Sequence, residues 1–325
     1  MMAGKWFEHI RKHVDLARLD AEARRDVALV VAGPRGEEFA AALRQPGVLD
    51  ETALRVLATL SELTAPPESI RAAVYVLSGE NTNGWHDQVA AFPRPVYAVE
   101  TGPQTSPPPH KKPVVGAPAL YTLSALTPAE MRKHLLPDIV LAYSGLEIAL
   151  AAKLPAFRSV VAARLTLNCA MNSLKIAAAS ALADHIPMIG LITGGIASAG
   201  DTIAITALQM RMLLQIAAAY GKKAEFARIV ELLPVLGGGY GWRALAREAS
   251  GFIPVAGIAI KAGIAYAGTV VVGQAASYYY ETGSKMPSSA VSALYREASD
   301  RARSLALQFA ARVTKKSGPG DPPGR

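Results

Sequence analysis

Two stretches of this chain are almost empty of ionised side chains. Between residues 165 and 220 only Lys175, Asp184, Asp201 and Arg211 carry charge, and between 250 and 280 only Lys261 does. Segments of that kind must be hidden from water, either in lipid or inside protein. About 20 mostly apolar residues suffice for a helix to cross a bilayer, and the many Gly and Ala residues here suit close helix–helix approach. The chain as a whole is 51% hydrophobic and 18% charged, against about 25% charged in an ordinary soluble domain. Wholesale disorder is excluded, because there is too much apolar surface to bury. A disulfide scaffold is excluded because Cys169 is the only cysteine.

Within the charge-poor region two segments resemble each other. Ile186-Pro187-Met188-Ile189-Gly190 leads through Gly195 to Ala199-Gly200-Asp201. Ile253-Pro254-Val255-Ala256-Gly257 leads through Gly263 to Ala267-Gly268-Thr269. Pro187 and Pro254 interrupt or start a helix, and Gly190 and Gly257 permit the turn that follows. Gly200 and Gly268 then let neighbouring helices approach. Each copy reads as a helical hairpin or a re-entrant dip. Asp201 and Lys261 would each cost about 3 kcal/mol in a spanning helix, so an intramembrane pair between these opposite charges is the expectation that reconciles them with lipid.

The 325 residues carry a net charge of +8, unevenly: residues 1–120 are at −1 and residues 121–325 at +9. Basic excess beside apolar segments suits an anionic membrane surface. Scattered cations with 6% aromatics do not make a nucleic-acid surface, which needs a basic stripe and stacking platforms. Residues 1–26 show no apolar core of signal-peptide type. Trp6, Phe7, Ile10, Val14, Leu16 and Leu19 recur at helical spacing, which predicts an amphipathic N-terminal helix.

The next segment alternates. Apolar runs at 27–33, 70–77 and 95–99 predict three buried strands, with helices over 36–45, 50–62 and 84–91 between them. That order predicts a small three-stranded parallel α/β layer over residues 27–100. Residues 101–122 read as a Pro-rich linker. Thr127-Pro128-Ala129-Glu130 is a helix start with a capping box, and helical periodicity governs residues 123–313. Residues 314–325 read as a disordered tail. The expected fold is thus α+β: the α/β layer, then a mainly helical, membrane-associated domain.

A strand followed by a glycine turn and a helix invites a nucleotide site. Such a site needs backbone N–H groups wrapped around phosphate and a lysine at the end of the loop. Here the text is Gly33-Pro34-Arg35-Gly36-Glu37-Glu38. The two carboxylates stand where lysine and a hydroxyl residue would be needed. A guanine-reading N-K-x-D is also missing, since Glu100-Thr101-Gly102 follows the third strand. His9 and His13 share a helix face without the Glu or third ligand of a zinc site. Ser78-Gly79 and Ser144-Gly145 lack a nucleophile elbow. These residues predict no catalytic site, no cofactor and no metal.

The segments Leu135-Leu136-Pro137, Lys153-Leu154-Pro155-Ala156-Phe157-Arg158, Ile186-Pro187, Gln209-Met210-Arg211-Met212 and Ala219-Tyr220-Gly221-Lys222 are similar to the GTPase-associated, YcjF-like domain of unknown function. Ile253-Pro254-Val255-Ala256-Gly257, Gly268-Thr269 and Gly273 resemble its second half, so the likeness covers about residues 130–283. It implies a bacterial inner-membrane module behind a GTPase domain, here a degenerate one whose N-terminal part faces the cytoplasm. The expected function is a non-catalytic membrane-associated adaptor or pseudo-GTPase. Its expected partners are the lipid bilayer and an unidentified protein, with homo-oligomerisation left open and nucleic acid excluded. Two alternatives stand beside it: a nucleotide-responsive GTPase-like switch, and a soluble helical interaction protein.

Overall fold

The computed structural model describes residues 14–45, 50–79, 84–103, 112–183, 196–236 and 256–316. They form two compact units. One comprises Leu16–Ala162 with Gln215–Ala224; the other holds Ala163–Leu214 and the chain from Glu225 onward.

The first unit is built on a five-stranded, wholly parallel sheet: β1 (Leu29–Ala32), β2 (Leu54–Leu57), β3 (Ala73–Val76), β4 (Val96–Thr101) and β5 (Ala119–Leu123), in the order β2-β1-β3-β4-β5. The three expected strands lie in its centre as β1, β3 and β4. All four residues of β1 and of β3 are buried, as a parallel strand covered on both faces requires. The sequence expectation of three strands is corrected to five. The helix expected over 50–62 is instead a 3-10 turn at Glu51–Ala53, strand β2 and a second 3-10 turn at Leu60–Glu62. Asp50 accepts from the Thr52 N–H and caps the start of the first of these 3-10 turns. Strand β5 starts inside the stretch expected to be linker, paired with β4 from Tyr97–Ala119 to Thr101–Leu123.

Helices cover the sheet. Alternation puts Val30, Ala32, Ala73, Tyr75, Val96 and Ala98 into one cluster with Leu60, Ile70, Trp85, Val89 and Phe92, the last residues belonging to or flanking α3 (Trp85–Ala90). Helix α2 (Gly36–Arg44) buries Phe39, Ala40 and Leu43, and its Gly36 lies against Val31 and Val56 of the other face. Helix α1 (Leu16–Ala23) precedes β1. Helices α4 (Pro128–His134), α5 (Leu136–Ala142) and α6 (Glu147–Lys153) follow β5. Sequence periodicity grouped these three with the helical domain, but they pack on the sheet. Tyr97 and Tyr121 donate to the Asp138 carbonyl and carboxylate at 2.8 and 2.9 Å. The fully buried Tyr143 hydroxyl donates to Ala28 O at 2.8 Å and lies 3.2 Å from Ala72 O, tying together the chain just ahead of β1 and β3.

The second unit is helical. It holds most of α7 (Arg158–Ala183) and α8 (Ile196–Ala219), with α9 (Phe226–Leu236), α10 (Ala256–Thr282) and α11 (Ser288–Lys316). Every residue of α10 from Ala262 to Ser277 is buried or half-buried, as expected of a helix that is apolar all round. Helix α11 folds back along it, with Ala302 Cβ 3.9 Å from where a Cβ on Gly263 would stand. Small residues dominate the shared core: Ala170, Ala177, Ala178, Ala262, Ala267, Ala298 and Ala302, around Leu174, Tyr266 and Val270.

The membrane-spanning expectation receives no support from the helices. Among the described residues, no helix is long and apolar enough to cross a membrane. Among the described residues, α10 is covered by protein from Ala262 to Ser277, and the exposed residues of α7 include Asn168, Asn172 and Lys175.

Candidate functional site at the carboxyl edge of the sheet

In an open parallel sheet, ligands bind outside the carboxyl ends of the strands where the strand order reverses. The order β2-β1-β3-β4-β5 is the flavodoxin-like one, with its reversal between β1 and β3. The segments at that point are Gly33-Pro34-Arg35 after β1, Leu77-Ser78-Gly79 after β3 and Gly102 after β4.

The point is closed by the turn after β1. Only three residues separate β1 from α2. Gly33 adopts φ +101°, and a Cβ there would lie 2.5 Å from the Val76 carbonyl oxygen. Only glycine fits, and its backbone fills the gap beside β3. The turn's donors point inward. The Gly36 N–H donates to Gly33 O at 2.9 Å, while the Gly33 and Arg35 N–H groups are directed at Ala58 O and Val76 O over longer distances of 3.4 and 3.5 Å. Pro34 has no N–H. A phosphate loop needs those same groups facing outward.

Arg35 then spans the edge. Its Nε and Nη2 donate to both oxygens of Glu38 at 2.8 and 2.7 Å, and Nη1 donates to Thr101 Oγ1 at 2.5 Å. The clasp therefore links the start of α2 to the end of β4. The Arg35 hydrogen bonds hold the Glu38 carboxyl below its ordinary range, and Arg35 is raised in turn. Beside it, Thr122 donates to Glu100 at 2.8 Å. Among the described residues the arrangement has a bidentate ion pair but no nucleophile with a base, and its cation, Arg35, is already paired. The carboxylates of Glu37 and Glu38 are evident in the sequence, whereas the clasp is not. Its signal is an Arg three residues before Glu at a helix start, a pair that a helix brings together.

The other candidates separate. Pro187, Gly190, Pro254, His9 and His13 lie outside the described residues. Gly257, expected at a turn, is the second residue of α10, while Gly200 lies within α8 and Gly268 deep in α10. Asp201 and Lys261 are on α8 and α10, with their side chains outside the described set. Among the described residues, no group of three His, Cys, Asp or Glu side chains could hold a metal ion. Burial pushes the Cys169 thiol up to about 11, which makes it a poor nucleophile. Tyr279 donates to Glu231 of α9 at 3.1 Å.

No protein-family model, curated protein or solved structure matches the chain. The YcjF-like resemblance therefore rests on the residues quoted for it above.

Proposed function

We propose that the chain is a non-catalytic adaptor of GTPase-associated type: a GTPase-like α/β head without a working nucleotide loop, joined to a helical bundle that meets a protein partner. The observation that carries this reading is the turn at Gly33–Gly36. Its glycine abuts β3, its donors face inward, and its arginine is held by Glu38 and Thr101. Titration of the full chain with GTP or ATP and magnesium tests it. The expected result is no saturable binding, and micromolar affinity would favour the nucleotide-responsive switch.

A membrane address, with the bilayer as a second partner and the head in the cytoplasm, is the further part of the proposal. It is supported by the net +9 of residues 121–325 and by the scarcity of charge in 165–220 and 250–280. The adaptor should pellet with inner membranes after lysis. Recovery as a monodisperse protein without detergent would leave the soluble helical interaction protein in its place.

A further inference from the structure

We propose that Arg158, with Lys222 and Lys223, binds a phosphate group, carried by a lipid headgroup or by a small soluble anion. Arg158 opens α7, and its guanidinium carbon lies 5.8 Å from the centre of the Tyr220 ring. Tyr220 and Gly221 close α8. Gly221 takes φ +75°, its N–H donates to Ala218 O, and the Lys222 N–H donates to Ala217 O, both at 2.9 Å. This is the hydrogen-bond pattern of a glycine C-cap. It brings the turn alongside the arginine: a Cβ on Gly221 would stand 3.6 Å from Arg158 Nη2. Lys222 and Lys223 follow at once, both exposed.

Little surrounds this cation among the described residues. Among the described residues Arg158 makes no hydrogen bond and no ion pair, and its Nε is buried without an acceptor. Burial lowers its pKa; Tyr220 alone opposes that, and no carboxylate contributes. Two other part-buried arginines are ion-paired, Arg35 by Glu38 and Arg228 by Glu225 and Glu231, although the Nε atoms of Arg164 and Arg228 are also buried without an acceptor. The aromatic ring and the carboxyl end of α8 offset part of the Arg158 charge, but they leave its donors unused. A half-buried cation with free donors is costly until an anion meets it. A guanidinium fork matches two phosphate oxygens, and lysines add point charges beside it. The site needs neither the closed turn nor the adaptor reading, so each can fail alone.

The experiment uses the full chain with two probes. One is cosedimentation with vesicles of phosphatidylcholine, alone or mixed with phosphatidylglycerol. The other is the rise of Tm with inorganic phosphate. Arg158→Gln and the double variant Lys222→Gln/Lys223→Gln should each weaken binding by roughly tenfold or more. The exposed lysines keep the test valid if Arg158→Gln fails to fold. Vesicle binding without a phosphate effect assigns the site to a headgroup; a phosphate effect without vesicle binding assigns it to a soluble anion. Failure of the folded wild type to respond to either probe, or unchanged binding in the variants, overturns the proposal.

Discussion

The two units bury their interiors by different means. The α/β unit is a core of large side chains, among them Tyr143, Tyr121, Phe39 and Leu29, and the buried Tyr143 hydroxyl is tied to backbone at Ala28. The helical unit is built from alanine, glycine and small hydroxyls. The buried polar residues Thr166, Ser173, Thr269 and Ser277 all belong to it. Gln209 donates to Thr269 Oγ1 at 2.8 Å, and Thr269 donates to Ala265 O at 2.7 Å. Thr166 Oγ1 is buried with no partner. A core of small residues gains less per side chain from burial, at roughly 0.8 kcal/mol per methylene, and relies on close backbone approach. Low charge in the sequence thus has two structural meanings here: strands inside a layered domain, and a central helix inside a small-residue bundle.

Glycine substitutions should break the contrast most sharply. Gly33→Ala combines a positive φ with a clash against backbone, so about 3 kcal/mol of stability or more should be lost, with no second-site side-chain change restoring it. Gly273→Ala should cost about 2–3 kcal/mol. Its Cβ would stand 2.1 Å from Thr166 Oγ1 and 2.8 Å from Thr166 Cβ. Here the obstacle is a side chain, and adding Thr166→Ala should recover about half of the loss. Urea denaturation of the four proteins checks both statements. Equal rescue of the two sites, or of neither, would erase the distinction.

Smaller effects sharpen it. Tyr143→Phe should cost about 1–2 kcal/mol, because it strips a buried hydroxyl from the Ala28 and Ala72 carbonyls. The loss should appear as faster hydrogen exchange in the first unit. Glu38→Gln should change stability by less than about 1 kcal/mol, since its side chain is 54% exposed and solvent screens the pair. The sign is fixed by the depressed Glu38 pKa. Its contribution is complete above the ordinary glutamate range and disappears as the pH falls through the lower folded value. The acid limb of a pH–stability curve should therefore be slightly flatter in Glu38→Gln.

The central strands were legible because a strand covered on both faces reads as an unbroken apolar run, as Leu29–Ala32 does. The edges were not. Leu54, Leu57 and Leu60 repeat at three-residue spacing and imitate a helix, although Arg55 of β2 points to solvent. Ala119–Leu123 follows a proline-rich stretch and becomes a strand only through its pairing with β4. The two Ile-Pro segments are alike as text, and of their glycines Gly257, expected at a turn, lies at the start of a helix. The Arg35 clasp was hidden for another reason: Thr101 is 66 residues away, and only the sheet order brings it close. Arg158 was on view in the segment 153–158, but its lack of a partner among the described residues is set by neighbours that the sequence does not name.

The adaptor reading stands or falls on the turn between β1 and α2. Hydrogen exchange of the Gly33, Arg35 and Gly36 amides, followed with and without excess GTP or ATP and magnesium, addresses it directly. The account predicts protection that nucleotide leaves unchanged; amides that exchange freely in the apo protein and become protected on adding nucleotide would contradict it.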